Sequence, residues 1–550
     1  MIIAPGPRRG CAEAPSSKSQ LHRLLILAAL GERPVSLTFR GLSEDIRATA
    51  HCLAALGVRI SFEGGVSDLP GDGCVGNACA ASGLFTAHVS PIPRDGSARA
   101  FLPCGESGST LRFLLPVCGA LGRPALFARE GRLPERPIGP LAEALEEHGM
   151  SLHGSLLPDG GPQSALLSDG VLRSALQPDD GPRSALLCSG RLRGGRWSIA
   201  GGVSSQFVSG LLMALPLLDE DSELEVTGDI VSAPYIGMTE RCLRLAGLSF
   251  SKDGCRYRIP GGQRPALPER ISAEGDWSSA AFFLCCGAFS KDGVSVSGLD
   301  PDSAQGDRRI SELLRGFGAE IETVRSQGGC AVRARKGAAF GKRAGRSADL
   351  TDASSGRSKD HADASCDRHV ALADTPPDRL VDLTDAPDLA PALCAVAAAS
   401  PGRTVISGAG RLRQKESDRL EACARMVRAF GASARVLPDG LEIEGRAWTK
   451  ESGGDGPVIR ECGSCANDPA AGEPDLRSPV KIETFSDHRI AMAAAVLACA
   501  GKRPVEADDA DCAAKSYPGF WEDFMSLETE DGSEGEPDCG PAALPGTEEL

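Results

Sequence analysis

The sequence predicts an α/β protein built from one repeated helix–strand unit. Five times along the chain an amphipathic helical pattern ends at a glycine, and a β-prone run follows at once. Glycine readily adopts the left-handed conformation that closes a helix, so each of these glycines marks a helix-to-strand boundary. Recurrence of the same unit indicates a repeated α/β architecture. The five glycines are Gly57, Gly149, Gly247, Gly318 and Gly431.

Length and composition are typical of a globular protein with more than one domain. The chain has 550 residues, of which 41% are hydrophobic and 24% charged, so it can form two or more cores. Its net charge of −15 argues against nucleic acid or an anionic membrane as the main partner. No apolar run approaches the ~20 residues of a membrane-spanning helix, and residues 1–7 lack the pattern of a signal peptide. We therefore expect a cytoplasmic protein.

The 20 cysteines indicate reducing conditions. They are scattered through apolar helical patterns, as at Cys285, Cys286 and Cys499, where cysteine behaves as a small hydrophobic residue and not as part of a disulfide framework. Cys462 and Cys465 form a CxxC pair, but the pair lies in a Gly/Pro-rich stretch and no second pair stands at the spacing of a zinc finger. No zinc site is predicted there.

Four segments are predicted to be additions at the surface. A ten-residue tandem repeat over 154–193 is rich in Gly, Pro and Asp, which favours a surface excursion. Two further polar stretches cover 337–379 and 449–479. The segment 527–550 contains Glu and Asp but no Lys or Arg, which predicts a disordered acidic tail.

The strongest chemical signal lies at residues 411–420. Four cations and two carboxylates fall within nine residues, immediately before an apolar helical pattern. On a helix, Lys415 and Arg419 would be i,i+4 neighbours, near an end whose free N–H groups and positive dipole suit anions. Glu416 could exchange protons with a bound group. A solvated, salt-bridged helix start is the alternative interpretation of an isolated motif.

Similar polar clusters precede other predicted helices. Each alone is interpreted as a helix cap or a loop cation, and the Gly/Ser loop at 105–112 lacks the Gly-Lys-Ser/Thr of a P-loop. Together they place cations at the ends of several elements, which predicts a small substrate with several negative charges. Arginine suits such a substrate because its planar fork binds carboxylate or phosphate through two hydrogen bonds. The clusters are 15–23, 105–112, 132–136, 202–207, 485–489 and 515–518.

The order of these motifs resembles one known family. PSSKSQLHR, GESGSTLR, GRLPERP, SSQF, RQKESDRL, SDHR and KSYPG are similar to the motifs of the 5-enolpyruvylshikimate-3-phosphate (EPSP) synthases. The resemblance covers most of 18–524 outside the inserted segments. It implies a two-domain inside-out α/β barrel with three βαβαββ units in each domain, which agrees with the helix–glycine–strand repeat.

The resemblance also implies domain boundaries. The first domain is expected to be discontinuous, formed by 1–16 plus 275–526. The second domain, 17–274, would contain a repeat insert at about 154–193. A disordered acidic tail, 527–550, would follow. Because cations would face each other across the empty cleft between the domains, like-charge repulsion predicts an open form in the absence of substrate.

The implied activity is a transfer reaction of the shikimate pathway, which leads to the aromatic amino acids. Members of the family move the enolpyruvyl group of phosphoenolpyruvate, the donor, to the 5-hydroxyl of shikimate 3-phosphate, the acceptor, and release phosphate. We expect these two small molecules as substrates, with no cofactor and no metal, since cations can neutralise the phosphates directly. We expect no nucleic acid or membrane partner, and a monomer.

The resemblance assigns residues to three roles. Asp388 is similar to the family's proton acceptor and Glu416 to its proton-relaying carboxylate, while Lys18 would touch both substrates and could act as the acid. Residues expected at the acceptor are Lys18, Ser19, Arg23, Ser204, Ser205, Ser232, Asp388 and Lys415. Residues expected at the donor are Lys18, Gly108, Arg132, Gln206, Arg419, Arg489 and Lys515.

This chain departs from the family pattern at two places, and two alternatives remain. Residues 106–110 read Glu-Ser-Gly-Ser-Thr where many members have Asn-Ala-Gly-Thr-Ala, and Arg411 stands where some have Asn. The related UDP-N-acetylglucosamine enolpyruvyl transferases have Lys-Asn in place of Lys18-Ser19 and a loop cysteine that is not found here. The other alternative is a non-catalytic paralogue that binds anions, against which the retained Asp388 and Glu416 argue.

Overall fold

The structure, a computed structural model, describes residues 1–64, 83–93, 99–156, 184–326, 329–341, 348–350, 377–446 and 478–530. Within these ranges the helices are α1 (Lys18–Leu30), α2 (Glu44–Ala55), α3 (Gly108–Leu121), α4 (Gly139–Glu147), α5 (Ser205–Ala214), α6 (Ala233–Leu245), α7 (Trp277–Gly287), α8 (Ile310–Gly316), α9 (Ala390–Ala398), α10 (Arg419–Phe430), α11 (His488–Ala500) and α12 (Phe520–Met525).

Among the described residues the strands form six small sheets. They are β1 (Ile2–Ile3), β2 (Arg8–Glu13), β3 (Val35–Arg40), β4 (Ile60–Glu63), β5 (Leu84–Val89), β6 (Ala100–Gly105), β7 (Ala125–Arg129), β8 (Met150–Leu156), β9 (Ser184–Gly190), β10 (Gly195–Ala200), β11 (Ser222–Thr227), β12 (Ser251–Asp253), β13 (Arg256–Ile259), β14 (Arg270–Ser272), β15 (Val294–Ser297), β16 (Glu320–Ser326), β17 (Gly329–Arg335), β18 (Ala348–Leu350), β19 (Arg379–Asp382), β20 (Gly402–Ser407), β21 (Ser433–Leu437), β22 (Gly440–Gly445), β23 (Val480–Ile482), β24 (Val505–Ala507) and β25 (Glu528–Thr529).

One βαβαββ unit recurs in these sheets. In the order β6-β7-β9-β8, strands β6 and β7 are parallel and joined through α3, whereas β8 and β9 form an antiparallel pair at the other edge. The sheets β10-β11-β13-β12 and β18-β19-β20-β22-β21 repeat this pattern through α5 and α9 respectively, with β18 added at one edge of the latter. The structure therefore has the predicted repeated α/β architecture.

The five glycines of the sequence repeat end their helices as predicted. Each has a positive φ, between 70° at Gly247 and 103° at Gly149, and a strand begins within a few residues of each one. A side chain at these positions would strain the backbone, because only glycine adopts this conformation without cost.

The helices lie inside and the sheets outside. Every residue of α7 and α9 is buried, and so is nearly every residue of α11. A helix that is apolar on all sides must be surrounded by protein, and the small alanine side chains of α9 and α11 let neighbouring helices approach closely. The sheets cover this bundle and expose alternate residues to solvent, as in Ser433–Leu437.

Two large hydrophobic clusters divide the described part of the chain. One includes Ile3 to Ala14 and continues from Trp277 to Leu527, whereas the other runs from Leu21 to Ile259. The chain passes between the clusters twice, and the two crossings pair with each other: Ser17 N donates to Glu274 O at 2.7 Å, and Asp276 N donates to Pro15 O at 2.8 Å. These clusters support the domain boundaries 1–16 plus 275–526 and 17–274, which remain a prediction.

The predicted repeat insert at 154–193 is too wide at both ends. Residues 154–156 belong to β8, and the last copy of the repeat forms β9, whose Ala185, Leu186 and Cys188 are buried. This copy pairs with β7 on one side and with β8 on the other, so strand pairing outweighs its loop-like composition. Residues 157–183 lie outside the described ranges.

The other predicted additions also need correction where they are described. Residues 348–350 pair with β19, although 337–379 was predicted to be a polar surface stretch. Leu527 is buried and β25 pairs with β2, so the start of the predicted disordered tail is an ordered edge strand. Residues 447–477, which contain the CxxC pair, and residues 531–550 lie outside the described ranges.

Deleting residues 158–180 should leave the stability of the protein nearly unchanged. Leu156 and Ser184 occupy paired positions in β8 and β9, so the strand ends already lie side by side. After the deletion, residues 157 and 181–183 still connect them. Because closure entropy changes slowly with loop length and a shorter loop is easier to close, the shortening should cost no stability. Urea unfolding followed by circular dichroism should give nearly the same midpoint as the wild type.

Deletion of Ser184–Gly190 is the control, because it removes β9 and opens the sheet. This second variant should unfold at much lower urea. An equal loss of stability in both variants would show that 158–180 contribute to the core.

Candidate active site

A cavity lies between the two hydrophobic clusters, and both contribute to its walls. The first turns of α1, α3, α5, α7, α10 and α11 all reach it. Eight Lys or Arg side chains and four Asp or Glu side chains line it. The cations are Lys18, Arg23, Arg112, Arg136, Arg411, Lys415, Arg419 and Arg489, and the carboxylates are Asp45, Asp276, Asp388 and Glu416. This excess of positive charge suits a ligand with several negative charges.

Side-chain caps build these helix starts. Ser17, Ser107 and Ser204 accept hydrogen bonds from backbone N–H groups of α1, α3 and α5. Asp276, Asp418 and Asp487 do the same for α7, α10 and α11. The predicted polar caps are therefore real caps, and the remaining free N–H groups of these helices add to the positive potential of the cavity.

Arg419 is the centre of the ion-pair network. Its side chain is 2% exposed, and it donates to Asp487 Oδ2 at 2.7 Å, to Asp388 Oδ1 at 3.0 Å and to Glu416 Oε2 at 2.6 Å. Burial alone would lower the pKa of Arg419, but the charges of Asp487, Glu416 and Asp388 raise it. Arg419 therefore stays charged and holds three carboxylates in place.

Lys415 reaches this network by a different route from the predicted one. The helix α10 begins only at Arg419, whereas Lys415 follows the short 3₁₀ turn Gly410–Gln414 in an extended conformation. The predicted i,i+4 relation between Lys415 and Arg419 on one helix face is wrong. Asp418 caps α10, so Lys415 precedes the helix and does not belong to it. Lys415 Nζ still lies 3.5 Å from Asp388 Oδ1.

Asp388 and Glu416 are buried anions held by cations. Although burial acts to raise the pKa of Asp388, the charges of Arg489, Lys415 and Arg419 hold it well below its usual value. Burial also acts to raise the pKa of Glu416, but the charges of Arg419 and of Arg136, which lies 3.1 Å away, hold it well below its usual value. Both groups are therefore ionised.

Asp307 and Tyr235 extend the network, and sequence reasoning missed both. The Tyr235 hydroxyl donates to Asp307 Oδ2 at 2.9 Å and lies 3.4 Å from Asp388 Oδ2. Burial, and next the charge of Asp388, raise the pKa of Asp307 to about 7. Asp307 is followed by Arg308 and Arg309, directly before the helix α8, so the sequence contained a signal of the kind used for the other motifs that was not recognised. Tyr235 follows Ser232 in a motif that was noted only for its serine.

The opposite wall holds the predicted serine and glutamine residues. Ser204 and Ser205 begin α5, and the Gln206 amide accepts from Arg112 at 2.7 Å and donates to Ser109 Oγ at 2.8 Å. Ser232 has a positive φ of 54°, which costs strain in a residue other than glycine and turns the chain into α6.

Two predicted cations on this side are fixed by neighbours. Arg23 donates to Thr239 Oγ1 at 2.7 Å and to Tyr235 O at 3.0 Å, and burial lowers its pKa to about 10. Lys18 Nζ lies 2.7 Å from Asp45 Oδ2. Both cations are therefore positioned before any ligand arrives.

Two of the predicted site residues do not line the cavity. Arg132 has a side chain that is 42% exposed and pairs with Glu135, outside the cavity. The 3₁₀ turn Leu133–Glu135 separates it from Arg136, whose side chain is 8% exposed and does line the cavity. The motif GRLPERP contains both arginines, and spacing alone does not predict which of them faces the cavity, because the direction of this turn depends on distant contacts.

Lys515 is the second exception. It is buried, it does not belong to the cavity wall, and its ammonium group pairs with Glu106. The structure brings the other predicted residues together at the cavity. They are Lys18, Ser19, Arg23, Gly108, Ser204, Ser205, Gln206, Ser232, Asp388, Lys415, Glu416, Arg419 and Arg489.

The two halves of the cavity are in contact, so the structure is closed. Arg136 pairs with Glu416 across it, Tyr235 contacts Asp307, and Ser232 N donates to Thr384 O at 3.2 Å. The expectation of an open empty form was based on cations that repel each other. Carboxylates stand between these cations, and their attraction opposes the predicted repulsion. The open form without substrate remains a prediction.

The described ranges show neither a metal-binding cluster nor a membrane-spanning helix. In those ranges no group of three or more His, Cys, Asp or Glu side chains is placed to hold a metal ion. None of the helices described above is long and apolar enough to cross a membrane. Most free cysteines of the described part are buried, as predicted, whereas Cys11 takes part in a disulfide.

Comparison with known proteins identifies the family. The family model for EPSP synthase (3-phosphoshikimate 1-carboxyvinyltransferase) matches residues 4–157 and 181–524. The chain belongs to the EPSP synthase family. A 3-phosphoshikimate 1-carboxyvinyltransferase of Clostridium kluyveri is 32% identical, with 96% of each chain covered. One from Methanopyrus kandleri is 30% identical over 94% of this chain and 96% of its own.

Solved structures agree on the fold. An EPSP synthase from Acinetobacter baumannii matches with a TM-score of 0.61 and 22% identity, covering 96% of this chain and 98% of its own. The enolpyruvyl transferase NikO from Streptomyces tendae matches with a TM-score of 0.59 and 14% identity, with 96% of each chain covered. The predicted family, the two-domain inside-out α/β fold and the enzyme class are confirmed. The EPSP synthase family model leaves residues 158–180 unmatched, inside the repeat segment.

Replacing Asp307 by Asn should change how the free energy of unfolding depends on pH. The Asp307 carboxyl has a pKa of about 7 in the folded protein, against an ordinary value of 3.8. Between these values the folded state binds a proton that the unfolded state has lost, so the wild type loses stability as the pH rises through this window. Asp307→Asn lacks the group and should lack this decline.

Urea unfolding at about pH 5, 6, 7 and 8 gives the free energy of unfolding of the wild type and of Asp307→Asn. The free energy of unfolding of Asp307→Asn should rise relative to that of the wild type up to about pH 7, and the difference should stay constant above it, since Asp388 is ionised throughout. A difference that does not change with pH would show that Asp307 is ionised at neutral pH.

Proposed function

We propose that this protein transfers the enolpyruvyl group of phosphoenolpyruvate to the 5-hydroxyl of shikimate 3-phosphate and releases phosphate. The observation on which this depends is the cavity itself, which places eight cations around four carboxylates at the junction of two clusters. The two substrates together have two phosphates and two carboxylates, and the cavity offers cations for each of them. Membership of the EPSP synthase family supports the same reaction.

We place the acceptor against the part of the cavity lined by Ser204, Ser205 and Ser232. Ser204, Ser205 and Ser232 offer hydroxyls, and Arg23 offers a buried cation, so this corner suits the phosphate of shikimate 3-phosphate. Lys415 would then contact the hydroxyls of the ring. In this orientation the 5-hydroxyl points towards Asp388.

We place the donor beside Lys18 and Arg136, in the same half of the cavity as the serines. Arg136 takes the role that the sequence assigned to Arg132, because its side chain lies in the cavity, 3.2 Å from the position that a Cβ of Gly108 would occupy. Arg419 and Arg489 would contact the donor from the opposite side. Arginine forks on two sides orient the phosphate and the carboxylate of one small molecule.

The reaction needs two proton transfers before phosphate leaves. Asp388 takes the proton of the 5-hydroxyl as the hydroxyl oxygen of the acceptor bonds to C2 of the donor. Glu416 or Lys18 protonates C3 of the donor. Phosphate then leaves C2, and C3 loses a proton so that the double bond re-forms. Every proton added is removed, which leaves the enolpyruvyl group intact.

Substrate binding itself would tune these groups. In the empty cavity the cations hold the pKa of Asp388 and Glu416 low, which makes Asp388 a weak base and keeps Glu416 ionised. When substrate phosphates and carboxylates draw Lys415, Arg419 and Arg136 towards themselves, the pKa of both groups rises. The proton carriers therefore become effective only when both substrates are present.

This proposal extends to how the protein works in the cell. It would act as a monomer in the cytoplasm, without a cofactor. The first test is release of inorganic phosphate by the purified protein in the presence of both substrates. Lys18→Met is the control, since it removes the cation shared by both substrates, and no release above this control would end the proposal.

Arg136→Ala should impair the reaction, whereas Arg132→Ala should leave it nearly unchanged. Arg136 is a buried cation beside Glu416, so its loss should raise KM for phosphoenolpyruvate by ~10-fold or more, as expected when a buried charged donor is removed. Arg132 is exposed and should leave both KM and kcat within about two-fold of wild type. Steady-state kinetics of phosphate release measures both variants.

The reverse result, with Arg132→Ala impaired and Arg136→Ala active, would restore the original assignment. Thermal unfolding of both variants controls for misfolding, and Arg136→Lys should rescue only in part because an ammonium group lacks the planar fork.

Asp388→Asn should lower kcat by ~10²–10⁴ while shikimate 3-phosphate still binds, because the substitution removes the proton acceptor and keeps its size. Binding is measured by calorimetry in the absence of the donor. A variant with wild-type kcat would exclude Asp388 as the base, and a variant that loses acceptor binding would make it a binding residue instead.

A further inference from the structure

Lys515, which the sequence assigned to the donor, is paired with a carboxylate from the other side of the cleft. It ends the turn Asp511–Lys515, and its side chain is 7% exposed. The Glu106 carboxylate pairs with its ammonium group from the loop before α3, 409 residues away along the chain. Glu106 is 39% exposed at its side chain, so its outer surface faces solvent.

The surrounding loop holds Glu106 in a defined place. Glu130 N donates to Gly105 O at 2.9 Å, which ties the loop to the strand end beside it. Gly131 has a φ of +51°, and a Cβ at this position would collide with the Glu106 carboxylate. A glycine is therefore required here both for the turn and for the room that the carboxylate occupies.

Glu106 lies beside the proposed donor site. Gly108, two residues further along, lines the cavity next to Arg136. A phosphate or carboxylate bound at this wall would therefore come close to the Glu106 carboxylate and to its partner Lys515. Two anions would then compete for one ammonium group, and like charges would repel.

We propose that Glu106 is a positioning residue that occupies Lys515 in the empty enzyme and yields it to phosphoenolpyruvate. This inference rests on the proposed function. Glu106 holds the ammonium group at the edge of the donor site and keeps it paired until a stronger anion arrives. Its charge weakens donor binding, because each binding event must break or share the ion pair. Glu106 thereby sets the KM for the donor and not for the acceptor.

The neighbouring carboxylates do not replace Glu106. Burial, and next the charge of Asp45, raise the pKa of Glu44, whereas Lys515 acts to lower it. Asp45 is engaged by Lys18 at 2.7 Å. Within the described residues, Glu106 is the carboxylate in direct contact with Lys515.

Glu106→Gln tests this role, since it removes the charge and keeps the size of the side chain. KM for phosphoenolpyruvate should fall by about two- to five-fold, the range that an ion pair of this exposure contributes. The values of kcat and of KM for shikimate 3-phosphate should stay near wild type. Glu106→Asp keeps the charge and should retain a KM close to that of the wild type.

Glu135→Gln is the matched control, because it removes one carboxylate from the exposed pair with Arg132, outside the cavity. It should leave the KM for both substrates unchanged, which separates the local effect from the change in net charge. The difference between Glu106→Gln and wild type should also shrink at high salt, since screening weakens exposed charges.

Three results would overturn the proposal: an unchanged or higher KM for the donor in Glu106→Gln, the same kinetic change in Glu106→Asp, or the same change in Glu135→Gln. Glu106→Ser, a second neutral variant, should repeat the fall in KM if Glu106→Gln folds poorly. A wild type without turnover would defeat the proposed function instead. Calorimetric titration with inorganic phosphate then decides the role of Glu106, with tighter binding expected in Glu106→Gln and equal binding contradicting it.

Discussion

The pairing of buried cations with carboxylates is the interaction on which the cavity depends. Arg419 is nearly inaccessible, and an unpaired charge in such a place would cost several kcal/mol of stability. Asp388, Glu416 and Asp487 satisfy its guanidinium in three directions. Two of these carboxylates, Asp388 and Glu416, are the groups proposed as proton carriers. The residues that permit the cations to be buried are therefore also the residues proposed to perform the chemistry.

The fold explains why these charges meet. In each βαβαββ unit a helix follows a strand, and the helix starts of both hydrophobic clusters point towards the cleft between them. Polar caps such as Ser107 and Asp487 are needed at each helix start. Because these helix starts meet at the cavity, the cations next to the caps meet there too. Because the helices lie inside the sheets, their starts can approach one another more closely than loops on a surface could. The repeat thus produces the site.

The sequence predicted the parts of this structure that depend on local chemistry. The five glycines end helices and the serine and aspartate caps begin them, because backbone conformation and hydrogen bonding decide both within a few residues. Failures came where the direction of a side chain depends on distant contacts. A single 3₁₀ turn separates exposed Arg132 from buried Arg136, and pairing with β7 and β8 makes a strand of a loop-like repeat. The partner of Lys515 could not be found from spacing, because Glu106 lies 409 residues away.

A crystal structure with shikimate 3-phosphate and inorganic phosphate bound tests the central claim most directly, namely that substrate anions replace carboxylates on the same cations. The account predicts the acceptor's phosphate at Ser204, Ser205 and Ser232, its 5-hydroxyl within hydrogen-bonding distance of Asp388, and the free phosphate at Arg136. Ligands bound outside the cavity, or Asp388 beyond hydrogen-bonding reach of the 5-hydroxyl, would contradict it.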